Sequence, residues 1–412
     1  MRPWRHGAVS PDTFEGVLHM QPYRWMPSIR IKGYRPFKDA TFRFNPLQVI
    51  VGANGSGKSS LFEFLKFLRD ACHHEIPPEI IAGSIGQQIF HKPGPDKLWW
   101  SAEIELLRRV PLYYQGELIG PIGATRVVFE RVITKKPLRE GFDKGFTFLD
   151  FQHGKGHVRD PEDRTFKRKE WDLRKPNQLG LGAITDASLV TLYDLREHIR
   201  GWRFYNSFNI NNDKIRKAVP TSQDPVLYED AGNLSAVLFH LMTEHGEAFE
   251  QLKSVLKAAI PGFRNLTVKA RGGPGEVIAF WQEENIDIEL SLADLSDGTL
   301  RFIAWAALCV MPKPPTLICI DEPDQGVHPR TLPILAGLFE KASHRTQIIL
   351  ATHASYFLTQ FDVKHIAVTR KRDGEIIYSK VRDSRTLIDN LDDFGPEELE
   401  QMHRTDELEG LS

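Results

Sequence analysis

Eight consecutive residues, Gly52-Ala53-Asn54-Gly55-Ser56-Gly57-Lys58-Ser59, do most to narrow what this chain can fold into. They match G-x-x-x-x-G-K-[ST] at every position and follow the apolar run Leu47-Gln48-Val49-Ile50-Val51. After them, from about Ser59 to Ala71, Leu61, Phe62, Leu65 and Leu68 recur at helical spacing on one face. Strand, glycine-rich turn and helix in that order call for an open α/β sheet, with the loop at the carboxyl edge of a buried strand. The glycines let the backbone curl so that successive N–H groups aim at phosphate oxygens, above the positive end of the helix. Lys58 would reach the β- and γ-phosphates, Ser59 would ligate Mg2+, and Ser60 completes the cofactor-binding stretch.

Two later segments read as strands that end in polar residues. Thr316-Leu317-Ile318-Cys319-Ile320 runs into Asp321 and Glu322. There Asp321 would hold Mg2+ through water, and Glu322 would polarise a water in line with the γ-phosphate. An apolar run ending in Asp-Glu is common at strand ends; its pairing with the glycine loop gives it weight. Gln347-Ile348-Ile349-Leu350-Ala351 leads to Thr352 and His353, and a lone His in such a place is more often structural than catalytic. Leu295-Ser296-Asp297-Gly298-Thr299 precedes a helical pattern over Thr299–Val310. Its hydroxyl and backbone N–H groups form either a second phosphate cradle or an ordinary N-cap. Strand Thr316–Ile320, helix Thr331–Ala342 and strand Thr346–Ala351 predict a parallel sheet covered by helices.

The rest of the chain is organised around this core. Residues 1–25 lack periodicity and read as a flexible N-terminal extension, with Met20 and Met26 as alternative starts. Residues 26–133 hold the first part of the core, where Ile29–Lys32, Thr41–Phe44, Ala102–Leu107 and Arg126–Ile133 predict further strands. The His73-His74 pair at the end of the first helix reads as a cap favoured by the helix dipole. Residues 134–224 are polar, basic and broken by Gly and Pro, and predict a basic insert lobe with one clear helix, Ala187–Arg200. Residues 225–381 carry the second part of the core. They predict helix over Asn233–Ala259, interrupted near Gly246, and strands at Asn265–Ala270, Val277–Trp281 and Ile286–Leu290. Residues 382–412 hold ten acids against three arginines and read as an acidic C-terminal tail.

Charge and composition exclude several classes. With 53 Lys and Arg against 54 Asp and Glu, this is not a uniformly basic nucleic-acid protein. Yet residues 131–175 carry 13 basic against 8 acidic residues, and 194–217 carry 6 against 3, which leaves DNA contact through the insert open. The interleaved Trp202, Phe204 and Tyr205 read as core. The longest nearly unbroken apolar run, Phe302–Met311, has about half of the ~20 residues that a membrane span needs. The first residues lack a basic stretch followed by an apolar one, so no secretory signal is expected, and Cys72, Cys309 and Cys319 lack metal-ligand spacing. Buried thiols in a reducing, cytoplasmic setting are expected.

Taken in order, IRIKGYRPF, VGANGSGKSS, LADLSDGTLRF, LICIDEPDQGVHP and IILATHASYF resemble the ABC-type ATPase heads of the structural-maintenance-of-chromosomes (SMC) and RecF kind. The resemblance is closest to the short predicted ATPases found with overcoming-lysogenization-defect and anti-phage proteins. It implies an α/β head with a mixed, largely parallel central sheet flanked by helices, an antiparallel β subdomain, and an α/β insert. ATP and Mg2+ are the implied cofactors. Lys58, Glu322 and His353 are the implied catalytic residues, the last as a switch histidine on the γ-phosphate. Leu295, Ser296, Asp297 and Gly298 are similar to the signature motif, which acts in trans on nucleotide held by a second copy. Asp324 and Gln325 look like the D-loop across that interface, and Arg35 like an arginine that contacts nucleotide.

The sequence departs from the family at Pro36, where a small polar residue is usual, at Asp297, where Gly is usual, and at Gln325, where Asn is common. Gln87, Gln88 and Gln152 are the candidates for the glutamine that normally senses Mg2+. Ser296 lies 237 positions after Ser59, a span that SMC proteins fill with coiled coil; here Gly and Pro interrupt 92–224 too often for one. After His353 only 59 residues follow, too few for an appended nuclease domain. The expected function is an ATPase that dimerises on ATP and switches a partner effector, such as a nuclease or toxin encoded nearby, in anti-phage defence or DNA repair. The alternatives are a RecF-like DNA-binding repair ATPase without an effector, and an ATP-binding scaffold that holds a nuclease or toxin inactive.

Overall fold

The strand before the glycine loop, Leu47–Val51, is buried at every position, because both faces of the sheet around it are covered. Its neighbour Gln347–Ala351, and Leu317–Asp321 beyond that, are almost as apolar for the same reason. In the computed structural model, which describes residues 25–381 except 74, 77–88, 107–109, 122–123, 139–142, 160–168, 209–212 and 373, these strands form one six-stranded sheet. Its order is Trp202–Asn206, Leu317–Asp321, Gln347–Ala351, Leu47–Val51, Ile366–Arg372 and Glu375–Lys380. The first five run parallel and the last is antiparallel. Residues 1–24 of the extension expected over 1–25, the acidic tail, His74, Gln87, Gln88, Lys167 and Arg168 lie outside the described residues, while Trp25 opens the strand Trp25–Tyr34.

Alternation along each central strand divides the molecule into two cores. Ile50, Leu317, Cys319, Ile349 and Ala351 point to one, with the helix Lys58–His73 and the antiparallel sheet. Val49, Val51, Ile318, Ile320, Ile348 and Leu350 point to the other, with the helices Leu234–Glu244, Gly246–Ala259, Asp297–Val310 and Leu332–Ala342. The antiparallel sheet has eight strands, in the order Phe37–Arg43, Trp25–Tyr34, Lys97–Glu105, Leu112–Ile119, Arg126–Thr134, Thr147–Gln152, Lys155–Val158 and Lys169–Asp172. A smaller sheet pairs Val219–Pro220, Glu276–Glu283, Phe263–Ala270 and Leu290–Ser291.

Several expectations need correction. Residues 134–224 do not stand apart as a lobe. Thr147–Gln152 onward extends the antiparallel sheet, the helix Val190–Arg200 packs on the Lys58–His73 helix, and Trp202–Asn206 is the edge strand beside Leu317–Asp321. The reason is local apolarity inside a polar average: Trp202, Phe204 and Tyr205 are buried, so this short strand needs a covered place in a sheet. The strand expected at Ile286–Leu290 shrinks to Leu290–Ser291, because Asn285 turns the chain at φ +66 and leaves Ile288 67% exposed. His73 is not a cationic helix cap. Its Nδ1 accepts a hydrogen bond from Arg200 Nε at 3.0 Å, and burial together with that guanidinium lowers its pKa. The strands Leu112–Ile119, Ile366–Arg372 and Glu375–Lys380 have no counterpart in the sequence reading. Within 134–224 the longest described helix is Val190–Arg200, of 11 residues, so that stretch contains no described coiled coil.

The cores bury large rings and thiols. Trp305 is fully buried, with its ring 4.1 Å from Phe208 and 5.9 Å from Tyr205. Trp305→Ala should destabilise the fold by about 3–5 kcal/mol, read as a lower denaturant midpoint at unchanged slope. Arg345 donates to the carbonyls of Met311 at 2.7 Å and Cys309 at 2.6 Å, closing the C-terminus of the Asp297–Val310 helix. Cys72, Cys309 and Cys319 are free and buried, and burial raises all three thiols above their ordinary range. No described helix is long and apolar enough to cross a membrane.

Candidate functional site

The parallel register brings several strand ends to one edge. Asn206 lies opposite Asp321, Asp321 opposite Ala351, and Ala351 opposite Ile50, one residue before the loop strand ends. The loop leaves there with Gly52, Gly55 and Gly57 all at positive φ. At Gly57, φ +95, a Cβ would stand 2.8 Å from the Phe37 ring, so only glycine fits. Ala53, Asn54 and Gly55 are exposed, whereas Ser56 and Lys58 are buried. Ser56 Oγ bonds Thr369 Oγ1 at 2.9 Å, which moors the loop to the neighbouring strand. Lys58 Nζ donates to the carbonyls of Gly52 at 2.5 Å and Ala53 at 3.2 Å, holding its charge under the loop. Ser59 begins in the first helical turn and stays exposed, with half-buried Ser60 beside it.

Two contacts tie the loop's surroundings to residues far away in sequence. Ser59 Oγ donates to Asp321 Oδ2 at 3.0 Å, across 262 positions. Glu322 lies immediately beyond its strand at φ +52, a conformation that costs a non-glycine residue about 1–3 kcal/mol. Its N–H is anchored to the Ala351 carbonyl at 2.8 Å. Its carboxylate accepts from the His353 N–H at 3.3 Å, and His353 Nε2 stands 3.6 Å from Oε1. Burial, reinforced by the Asp324 and Asp321 carboxylates, pushes the Glu322 pKa up to about 7, against the pull of the His353 N–H and Lys58. A carboxylate in that range is suited to proton transfer near neutral pH.

The remaining expected residues form a second group around the D-loop. Thr352 Oγ1 donates to Asp324 Oδ1 at 2.7 Å while accepting from Ala354 N at 3.0 Å. Gln325 Oε1 accepts from Ser207 Oγ. The helix Asp297–Val310 starts at Ser296, whose Oγ accepts from Thr299 N at 3.2 Å. At Gly298 a Cβ would meet the Gly326 carbonyl at 2.8 Å, so the start of that helix lies against the D-loop. Buried Leu295 precedes exposed Ser296 and Asp297.

Arg35 lies beside the helix that follows the loop. At φ +43 it ion-pairs with Glu63 on the Lys58–His73 helix, and its carbonyl meets His91 Nδ1 at 2.8 Å. Gln152 ends a strand of the antiparallel sheet, opposite Lys155. The polar residue at the edge beside Asp321 is instead Asn206, exposed at the end of Trp202–Asn206. Sequence reading missed Asn206 and Ser207 and gave Thr352 no role of its own. A short apolar strand ending in Asn-Ser was the one signal for the first two.

The residues fit a Mg2+–nucleotide. The loop is a glycine cradle that a Cβ would obstruct, and Ser59 and Asp321 are already paired. Among the described residues no group of three or more His, Cys, Asp and Glu could hold a metal by itself. One hydroxyl and one carboxylate suit Mg2+ that takes its other ligands from phosphates and water.

With this geometry in view, the comparisons with known proteins decide the family. Residues 47–359 match the family model described as "AAA domain, putative AbiEii toxin, Type IV TA system". The chain belongs to this AAA-domain family. The match runs from the loop strand past His353 and so takes in the glycine loop, the acidic strand end and the D-loop. No curated protein matches the sequence. Among solved structures, the SMC head bound to the C-winged helix domain of ScpA is similar at TM-score 0.52 and 14% identity, covering 87% of this chain and 97% of that one. The SMC head with an extended coiled coil, bound to the C-terminal domain of ScpA and derived from Pyrococcus furiosus, gives 0.52 and 13%, covering 90% and 100%. This AAA-domain protein therefore has the fold of an SMC-type ATPase head.

Proposed function

We propose that this chain is a Mg2+-dependent ATPase whose heads pair on ATP and whose cycle switches a partner effector in the cytoplasm. The observation that carries this reading is the meeting of Lys58, the Ser59–Asp321 pair and the Glu322–His353 pair at one sheet edge. In it, Gly52–Gly57 N–H groups cradle the phosphates, and Lys58 turns from the loop carbonyls to the β- and γ-phosphates. Ser59 and Asp321 would hold Mg2+, which would supply charge stabilisation at the transferring phosphoryl group. Glu322 takes the proton of the attacking water, and His353 holds the carboxylate and the γ-phosphate in line. Asn206 faces this site from the edge strand.

Exposed Ser296 and Asp297, at the start of a helix that lies against the D-loop, support a role for the signature turn on a second copy's nucleotide. The family's description supports a toxin–antitoxin setting for this chain. Direct DNA contact is the weaker reading. Lys135, Arg131, Lys155, Lys169 and Lys175 in the basic stretch are already paired with Glu103, Asp150, Asp172, Asp186 and Glu75. A test of paired heads is Ser296→Arg, which sets a bulky cation on the mating face. Placed in a Glu322→Gln background, which holds the nucleotide, it should bind ATP like its parent and remain monomeric in light scattering, while the parent dimerises. A Ser296→Arg protein that dimerises normally on ATP would refute the pairing mode.

A further inference from the structure

We infer that Arg216 and Asp297 form a charge-compensated pair that positions the signature turn for the γ-phosphate on a second copy, an inference that rests on the paired-head reading above. Asp297 opens the Asp297–Val310 helix, and its side chain is 50% exposed. A carboxylate at that place takes the positive end of the helix for itself. It also sets a full negative charge where an incoming phosphate is to be received. Left alone, it would repel the ligand that the turn is there to contact.

Arg216 answers this charge directly. Its Nη2 donates to Asp297 Oδ1 at 2.5 Å. Its Nη1 meets the carbonyls of Leu292 at 3.3 Å, Ala293 at 2.9 Å and Leu295 at 2.8 Å. One guanidinium thus grips the chain on both sides of Ser296 while neutralising the acid beside it. The other nearby acid, Asp294, is occupied by the N–H and hydroxyl of Ser291, at 2.8 and 2.7 Å. The planar fork of Arg reaches carbonyls and carboxylate together; a Lys ammonium at 216 would keep the charge without the fork. Arg216 is therefore a positioning residue, acting on phosphate through the turn it holds and the charge it cancels.

The test is ATP-driven dimerisation of the full chain in a Glu322→Gln background, read by analytical ultracentrifugation, with binding of fluorescent ATP measured in parallel. Arg216→Met should bind ATP as the parent does, because its own glycine loop is intact, but weaken dimerisation by roughly tenfold or more. Adding Asp297→Asn should recover part of that loss, by about threefold or more, since the uncompensated charge is gone while the grip on the Leu292, Ala293 and Leu295 carbonyls stays lost. Arg216→Lys should fall between Arg216→Met and the parent. Asp297→Asn alone, at an exposed position that does not threaten folding, should dimerise at least as tightly as the parent. No loss in Arg216→Met, no recovery in the double variant, or a weakened Asp297→Asn dimer each overturns the pair. If Arg216→Met does not fold, the Asp297→Asn result decides alone. A parent that stays monomeric on ATP defeats the paired-head reading and this inference together; a parent that pairs while the variants behave otherwise defeats the inference only.

Discussion

Glu322→Gln should lower the hydrolysis rate by about 10²–10⁴-fold, the contribution of a positioned general base, while leaving ATP binding intact. The amide keeps the shape of the side chain and can still accept from the His353 N–H, so the strand end and its φ +52 turn persist. What it loses is the capacity to take a proton. The nucleotide should remain bound, and dimers that the wild type forms only transiently should accumulate on a sizing column. The same carboxylate sets a pH dependence. Its pKa is raised to about 7, chiefly by burial, and the base works only when ionised. Wild-type kcat should therefore climb as pH rises through about 7, falling roughly tenfold per unit on the acid side. The residual activity of Glu322→Gln should lose that limb. An unchanged rate, or an acid limb that survives the substitution, would remove Glu322 from the mechanism.

Lys58→Ala should weaken ATP binding by about 2–5 kcal/mol, roughly 30-fold to a few thousand-fold in Kd. Lys58 is 6% exposed, and its ammonium lies on the carbonyls of Gly52 and Ala53. Alanine removes the cation that faces the phosphates and leaves two loop carbonyls without that donor. Binding and hydrolysis should both fail, in contrast to Glu322→Gln, where only hydrolysis fails. Calorimetric titration with ATP and Mg2+ separates the two. Near-wild-type affinity in Lys58→Ala would mean that nucleotide binds elsewhere.

The two variants also mark how legible the site was. Both residues sit in short stretches whose chemistry needs neighbouring residue types: a glycine turn opening a helix, and an apolar strand ending in acids. Such stretches carry their own structural context, so the loop strand, the Lys58–His73 helix and the Leu317–Asp321 strand fall within a few residues of expectation. Elsewhere a window average misled. The basic composition of 134–224 hid Trp202–Asn206, because three aromatic residues in a polar stretch declare a core strand only once a sheet is there to cover them. Ile286–Leu290 failed for the opposite reason: its alternation looked like a strand, but a left-handed Asn285 turns it toward solvent. His73 looked like a cationic cap until the distant Arg200 made it an acceptor.

By itself the sequence determined the residue types at the glycine loop, the acids at the strand end and the near-continuous apolar runs of the central strands, which are buried on both faces. These depend on spacing within a dozen residues or fewer. The tertiary structure alone decided that Ser59 meets Asp321, that Asn206 borders the same edge, that Arg35 turns to Glu63, and that Arg216 holds the turn around Asp297. Those relations follow from strand order and from where long side chains end. Strand order is set by the burial of whole faces, a global free-energy balance that no single stretch of chain contains.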